Sequence, residues 1–443
     1  MKSLTKAALV VSSTLLALSL LDRYLLNPRP LTTVGKFTLL VLAIFVGFSA
    51  LSAFALRTRL AAATVNAWLV LVSSAVAYIL VDVIGGIIVI GALSPAIVRD
   101  DHFHHRLEPG KTSTVETYDF VYTQKVNDLG LRGAPIATPK PAGTYRILML
   151  GDSFTMGYGV AEDETFSVLI QQSLNKKASN GTHSRVVEVL NGGVDSYAPI
   201  LEHLQLVELA PVLEPDLVVL NIDMSDLIQE QAYRALATRN EAGEIVAVRA
   251  PEKKKGPANW GSALKRAVNN HLLVTRLVMF SLREKEERAF TVQNTVVNPN
   301  YELLRHTLAS DTTNRDQQWN DLFDSVLAMK RYADERGIEL VLSIYPWGHQ
   351  VNDSAWEQGR VRFVRPGSTV SDASRYRIAA FARAQGLRLV DMFPAFREYK
   401  GPESLYYSFD MHWTAAGHRI AAAEIEAVVT DAISHAQEPS SAQ

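Results

Sequence analysis

The sequence predicts an α/β fold with a five-stranded parallel sheet covered by helices on both faces, preceded by an N-terminal transmembrane helical region. From residue 145 onward, apolar runs rich in Val, Ile and Leu alternate with helical patterns, as in sheets that are buried on both faces. The first hundred residues instead contain long uncharged apolar stretches, which are typical of membrane spans. With 443 residues, the chain is long enough for both parts.

Residues 1–98 are predicted to form about three transmembrane helices, from the apolar stretches Ala7–Leu21, Phe37–Leu56 and about Ala67–Ala92. The second stretch is long enough to cross the hydrocarbon core at about 1.5 Å per residue. The first is shorter and could instead be the core of a signal peptide. Because "LALSLLDRY" offers no small-x-small cleavage site, we interpret it as an anchor.

Asp82 is a carboxylate inside the third stretch, and such a residue indicates function by default. The simpler interpretation places it near the membrane interface or between helices. Basic residues do not fix the orientation of the stretches, because their numbers on the two sides nearly balance.

Composition excludes several classes of partner and site. The net charge of −2 and the pI of about 6.6 indicate no nucleic-acid partner. The absence of cysteine excludes disulfides and thiolate metal sites. His102, His104 and His105 suggest either a metal site or a polar loop. We favour the loop, since no carboxylate-backed ligand spacing accompanies them, and expect neither metal nor organic cofactor.

A connector, residues 99–144, is predicted to lead into a catalytic domain at residues 145–434. Its five predicted strands lie at 146–150, 185–190, 216–222, 338–344 and 387–393, and its clearest helices at 165–174, 200–209 and 317–336. Chemistry in parallel sheets gathers at the carboxyl ends of the strands, so we expect the functional side chains there.

Residues from about 229 to 300 do not fit this alternation, and we expect a mostly helical insertion near the strand ends. Within it, Lys253–Lys255 is interpreted as a solvated loop rather than an anion site. Residues 435–443 are expected to be a disordered tail.

The segment "RILMLGDSFTMGYG" begins as a buried strand and then presents Ser153 directly after Gly151 and Asp152. Gly151 permits a tight exit from the strand, and Ser153 then stands at the start of a helix, where backbone N–H groups favour negative charge. This arrangement suits a serine nucleophile whose own amide helps to stabilise an oxyanion.

A serine hydroxyl needs a base, and "YYSFDMHWTAAGH" supplies a candidate in His412. Asp410 lies two residues earlier, so both side chains project to the same side of an extended loop, and Asp410 can orient the imidazole. His418 is the rival base. Because it falls inside the last helix, we expect it to pack or to orient the loop.

These segments, "GDSFT" at 151–155, "NGG" at 191–193 and "DMHW" at 410–413, resemble the SGNH, or GDSL-type, hydrolase superfamily. The resemblance implies a flavodoxin-like three-layer α/β/α fold and hydrolysis or transfer of acyl esters. It implies that Ser153 is the nucleophile, His412 the base and Asp410 its orienting partner. By position, Gly193 would supply a second oxyanion N–H.

Two features depart from the usual pattern of that superfamily. Asp and His are two rather than three residues apart, and the Asp-x-His-Trp ending is similar to that of envelope polysaccharide O-acetyltransferases. In the third block, "NIDMSDL", Asp223 stands where glycine is expected and Ser225 where asparagine is expected. Ser225 or Asn221 is therefore the candidate for the remaining oxyanion donor.

Three functional hypotheses follow. The first is a serine esterase anchored by several passes in the inner (cytoplasmic) membrane, with its catalytic domain outside the cytoplasm, acting on acylated, above all O-acetylated, envelope glycans or lipids. The second is an O-acyltransferase that acts on an envelope polysaccharide. The third is a non-catalytic membrane protein that binds glycan in the same cleft.

Overall fold

The computed structural model describes residues 61–85, 96–117, 119–179, 185–251 and 301–435. The chain divides into two compact units; residues 61–85 belong to the first, and the other described residues belong to the second. None of the helices in these ranges combines the length and the apolar character that a membrane crossing requires. The first two predicted spans, Ala7–Leu21 and Phe37–Leu56, lie outside the described residues.

The strands of the described ranges are, in chain order, β1 (Ile97–Arg99), β2 (His105–Leu107), β3 (Thr112–Glu116), β4 (Val121–Lys125), β5 (Thr144–Leu150), β6 (Val186–Asn191), β7 (Leu217–Ile222), β8 (Ala237–Arg239), β9 (Ile245–Val248), β10 (Glu339–Ile344) and β11 (Arg388–Asp391). The helices are α1 (Ala61–Gly85), α2 (Ser153–Met156), α3 (Phe166–Ser179), α4 (Pro199–Leu213), α5 (Asp226–Arg234), α6 (Tyr301–Leu304), α7 (Asp316–Asp334), α8 (Gly348–Val351), α9 (Ala373–Ala384), α10 (Phe393–Glu398) and α11 (Ala415–His435).

Helix α1 covers much of the third predicted span. It exposes a series of apolar side chains, among them Val70, Ile79 and Val81, each more than half accessible. Asp82 lies inside this helix and is only 2% exposed. The carboxylate therefore belongs to the helix rather than to a turn that follows it.

The five predicted strands form one parallel sheet in the order β11-β10-β7-β5-β6. Strands β5 and β7 are buried along their whole length, which explains their nearly continuous apolar sequences. Numbered by their order along the chain, the five strands run 2-1-3-4-5 across the sheet, as in flavodoxin-like folds. The structure thus confirms the parallel five-stranded sheet of an α/β fold.

Helices surround this sheet in two groups. Helix α3 packs against α11, while α4 packs against α7, which also contacts α5. The predicted helices at 165–174, 200–209 and 317–336 correspond to α3, α4 and α7, with ends shifted by one to five residues. The core between sheet and helices is continuous and contains residues of every sheet strand.

Two regions contain strands that the sequence did not indicate. Two antiparallel pairs, β1–β2 and β3–β4, lie in the connector and in the two residues before it. At the start of the expected helical insertion, α5 ends at Arg234 and the antiparallel pair β8–β9 follows. Residues 252–300, including Lys253–Lys255, lie outside the described residues, as does the tail after His435.

Of the connector histidines, His105 contacts the segment that follows β6. His105 begins β2, and its Nε2 lies 2.6 Å from the Asp195 carbonyl oxygen. His104 Nδ1 lies 2.8 Å from His105 Nδ1. Across the described ranges, no three His, Asp or Glu side chains converge as metal ligands would.

Candidate active site

The turn that follows β5 is built around Gly151. Its φ of +154° is a conformation that residues with a Cβ rarely adopt, and a Cβ there would lie 2.2 Å from Thr155 Oγ1. Asp152 then caps α2, since its Oδ1 accepts the Phe154 N–H at 2.8 Å. The turn therefore needs glycine, and it places Ser153 as the first residue of α2, beyond the carboxyl end of β5.

Ser153, His412 and Asp410 lie together at this edge of the sheet. His412 Nε2 is 2.6 Å from Ser153 Oγ, although the two residues are 259 positions apart. His412 Nδ1 bonds to Asp410 Oδ1, which also accepts the His412 backbone N–H at 3.0 Å. Both Ser153 and His412 are 6% exposed. The residues that the sequence proposed for catalysis thus form one hydrogen-bonded chain.

The charge of Asp410 determines the direction of these hydrogen bonds. Burial raises the pKa of this carboxyl, but the charge and hydrogen bonds of His412 outweigh burial and lower it below its usual range. An ionised carboxylate can only accept hydrogen bonds, so His412 Nδ1 donates to Asp410. In the neutral imidazole, Nε2 then accepts the hydrogen of Ser153 Oγ.

His418, the rival base, lies inside α11 and is 1% exposed. Burial, followed by the charges of Arg132 and His412, lowers its pKa to about 3. Its Nδ1 accepts the Phe166 N–H at 3.3 Å, and its ring stacks on that of Phe166. His418 is therefore a neutral packing residue that ties α11 to the start of α3.

The candidate oxyanion donors differ in their present partners. The Ser153 amide stands at the first position of α2, where the helix itself offers no acceptor. The Gly193 N–H donates to Asn191 Oδ1 at 3.0 Å. Asn221 Nδ2 donates to the Leu150 carbonyl at 2.9 Å, and the Ser225 hydroxyl donates to the Asp223 carboxylate. Apart from Ser153, each candidate thus has an acceptor within the protein.

Asp119, which the sequence did not single out, holds the loop that carries Asp410. One carboxylate oxygen of Asp119 accepts the backbone N–H groups of Phe409 at 2.8 Å and of Asp410 at 2.7 Å. Because Asp119 lies between β3 and β4, this contact joins the connector to the catalytic loop. Only the packing of two distant segments reveals it, so no local pattern could have indicated it.

Asp152 and Asp223 form a buried acidic pair behind the nucleophile. Burial raises the pKa of Asp152 well above its usual range, and the neighbouring Asp223 raises it further. The hydroxyl of Tyr345 donates to Asp152 Oδ1 at 2.9 Å, and the indole N–H of Trp347 donates to Asp223. Asp223, which replaces the glycine expected in the third block, is therefore part of the support beneath Ser153.

A protein-family model matches more than half of this chain. The model of the GDSL-like lipase/acylhydrolase family matches residues 149–420, which include Ser153, Gly193 and the Asp410–His412 pair. No curated protein matches the sequence significantly.

Several solved structures are similar to this chain at low sequence identity. The acetyl xylan esterase AlAXEase is 17% identical, with 64% of this chain and 99% of that chain covered and a TM-score of 0.33. The structure of TesA is 12% identical, covering 64% and 97%, with a TM-score of 0.32. The esterase EstA from Pseudoalteromonas sp. is 11% identical, covering 65% and 98%, with a TM-score of 0.32.

Proposed function

We propose that this chain cleaves acyl esters through the triad Ser153, His412 and Asp410. The chain belongs to the GDSL-like lipase/acylhydrolase family and is an ester-hydrolysing enzyme. The observation that carries this proposal is the 2.6 Å distance between Ser153 Oγ and His412 Nε2. A nucleophile and a base within hydrogen-bond distance, with the base held by a third group, are what serine catalysis requires.

In the proposed reaction, Ser153 Oγ attacks the carbonyl carbon of the ester while His412 Nε2 accepts the hydroxyl proton. The ionised Asp410 stabilises the imidazolium that forms. The tetrahedral intermediate collapses, the bond to the alkoxide breaks, and His412 returns the proton to the leaving alcohol. Water then attacks the acyl-serine with His412 as base, and this step releases the carboxylic acid and restores Ser153.

The proposed oxyanion site begins with the Ser153 amide. Asn221 is the next candidate, since Nδ2 has a second hydrogen beyond the one that it donates to Leu150. Gly193 and Ser225 can contribute once a bound oxyanion replaces Asn191 and Asp223 as acceptors. Removal of one such donor costs about 3–4 kcal/mol in the barrier in a well-studied serine protease.

We further propose that residues 1–98 anchor the enzyme in the inner membrane and that the catalytic domain acts outside the cytoplasm, on O-acetylated envelope glycans or on lipids. The apolar stretches Ala7–Leu21 and Phe37–Leu56 support the anchor. The resemblance to envelope enzymes supports the location and the substrate class.

A second candidate function, O-acyl transfer, is favoured by the Asp-x-His-Trp ending at Asp410–Trp413. The same acyl-serine would form, and a sugar hydroxyl rather than water would remove the acyl group. His412 would then deprotonate the sugar hydroxyl. Hydrolysis and transfer therefore differ only in the acceptor.

The full chain in detergent, incubated with 4-nitrophenyl acetate in the presence and absence of an oligosaccharide acceptor, tests both candidates. We expect acetate release by the wild type and loss of this activity in Ser153→Ala. Acetylated oligosaccharide would identify a transferase, whereas free acetate alone would contradict transfer. An unchanged rate in Ser153→Ala would contradict the proposed triad.

A further inference from the structure

Arg132 is a buried arginine whose guanidinium bonds to the backbone that follows the nucleophile. It is 4% exposed. Its Nη1 donates to the carbonyls of Met156 at 2.8 Å and Gly157 at 2.5 Å, and its Nη2 donates to the Val160 carbonyl at 2.7 Å. These acceptors begin three residues after Ser153, at the carboxyl end of α2.

The short helix α2 explains why these bonds matter. A helix leaves its last carbonyls without amide partners, and α2 has only four residues, so little of it is stabilised by its own hydrogen bonds. Asn191 adds a contact from the neighbouring strand, since its Nδ2 donates to the Met156 carbonyl at 3.3 Å. The Arg132 backbone N–H donates to the Asn191 carbonyl at 3.2 Å. Arg132 thus links the connector to β6 and to the turn that carries Ser153.

We propose that Arg132 is a positioning residue for Ser153: by holding the carbonyls of Met156, Gly157 and Val160, it fixes α2 so that Ser153 Oγ remains within reach of His412. This inference rests on the proposed function, in which Ser153 is the nucleophile. The planar guanidinium presents its N–H groups in a rigid fork, whereas an ammonium is a compact point charge on a flexible stem. Arg132→Lys therefore retains the charge and loses the geometry.

Arg146 provides a matched control in the same chain. Its side chain is also fully buried, and it donates to two backbone carbonyls, those of Leu213 at 2.6 Å and Ala137 at 2.9 Å. It lies near the amino-terminal end of β5, whereas Ser153 follows the carboxyl-terminal end of that strand. Arg146 also forms an ion pair with Glu188, so Arg146→Lys disturbs a buried arginine with at least as many bonds, away from the nucleophile.

The test compares the full-length wild type, Arg132→Lys, Arg146→Lys and Ser153→Ala by kcat and KM for 4-nitrophenyl acetate and by thermal unfolding. Misplacement of a reacting group by about 1 Å can cost on the order of 100-fold in rate, so we expect kcat of Arg132→Lys to fall by about 100-fold. We expect its KM to change by less than about threefold, because binding of the small ester does not depend on the turn. Arg146→Lys should lower the Tm by about as much as Arg132→Lys does and retain the wild-type kcat.

A rescue experiment separates positioning from general loss of structure. Millimolar guanidinium should restore part of the kcat of Arg132→Ala and none of any loss in Arg146→Ala. Wild-type kcat in folded Arg132→Lys, or parallel losses of kcat and Tm in both lysine variants without guanidinium rescue, would overturn the inference. If Ser153→Ala retained the wild-type rate, the proposed function itself would fail, which is a distinguishable result.

Discussion

At the scale of single residues, the ionised carboxylate of Asp410 determines which proton His412 can accept. It accepts the Nδ1 hydrogen and leaves Nε2 free to take the proton of Ser153. The environment of Asp410 lowers its pKa, so this carboxylate remains ionised from neutral pH into mildly acidic pH. An asparagine at this position preserves the shape and removes the charge.

We therefore expect Asp410→Asn to lower kcat by about a thousandfold or more, because the imidazolium loses its counter-charge and the imidazole its preferred tautomer. Steady-state kinetics with 4-nitrophenyl acetate measures the loss, and the exposed Asp353→Asn serves as the control. Retention of more than about a tenth of the wild-type kcat in Asp410→Asn would show that Asp410 does not support the base.

Asp119 acts on catalysis indirectly, through its hydrogen bonds to the backbone of the loop that carries Asp410. Asp119→Ala leaves the N–H groups of Phe409 and Asp410 without their acceptor, and we expect kcat to fall by about 10- to 100-fold. Asp119→Asn retains an acceptor oxygen and should recover much of this loss. Steady-state kinetics of both variants tests this role of Asp119, with the exposed Asp163→Ala as the control. Equal kcat in Asp119→Ala and the control would contradict the role.

At the scale of elements, the turn between β5 and α2 depends on the missing side chain of Gly151. Gly151→Ala adds a Cβ that collides with Thr155 and imposes an unfavourable φ, whereas Gly243→Ala has a positive φ in open space. We expect the first change to destabilise the fold by about 2 kcal/mol more than the second. Denaturant unfolding of both variants measures this difference, and equal destabilisation would show that the turn accommodates the extra carbon.

The elements also show what the sequence could and could not predict. The sheet strands were predictable because burial on both faces requires continuous apolar runs such as Leu217–Ile222. Strands β3 and β4 were not, since β3 consists mainly of Thr and Ser, and β4 exposes Val121 while it buries Gln124. The insertion was expected to be helical from about residue 229, but Gly243 at φ +82° closes a hairpin between β8 and β9.

The candidate site likewise contains residues that the sequence indicated and residues that it did not. Ser153, Asp410 and His412 stand in short segments that a known superfamily shares, so their positions could be read from the sequence. Asp119 and Arg132 act on backbone groups far along the chain or in another element, and nothing in their neighbouring residues indicates those partners. The present acceptors of Gly193, Asn221 and Ser225 likewise depend on tertiary packing.

At the scale of the whole molecule, buried carboxyls make stability depend on pH. Glu202 and Glu230 are both fully buried, on α4 and α5, and the described residues offer the Glu202 carboxyl oxygens no hydrogen-bond partner. Burial, and then the neighbouring Glu230, raises the pKa of Glu202. Burial likewise raises the pKa of Glu230 from 4.5 to about 7. The folded protein therefore retains protons that the unfolded chain releases.

Because these pKa values are higher in the folded state, stability should fall as the pH rises from about 4.5 through about 7. The shift at Glu230 alone corresponds to about 3 kcal/mol. Glu202→Gln removes one ionisation, so we expect it to raise the Tm at pH 8 and to leave it nearly unchanged at pH 5. Thermal unfolding of Glu202→Gln measures the effect. Glu208→Gln serves as the control, because Glu208 is exposed on the same helix. A Glu202→Gln effect that is equal at both pH values would contradict this account.

The proposed anchoring is also a property of the whole molecule. If residues 1–98 hold the catalytic domain outside the cytoplasm, protease added to intact spheroplasts should digest that domain and leave a cytoplasmic marker protein whole. Detergent-lysed cells provide the control for protease sensitivity. Digestion only after lysis would place the domain on the cytoplasmic side.

Reaction with a serine-directed phosphonate, followed by mass spectrometry of the modified peptide, tests the convergence of Ser153 and His412 most directly. We expect covalent modification of the wild type at Ser153, none in Ser153→Ala, and a rate at least about a thousandfold lower in His412→Ala, since the hydroxyl then has no base. Modification at another residue, or a wild-type rate of modification in His412→Ala, would contradict it.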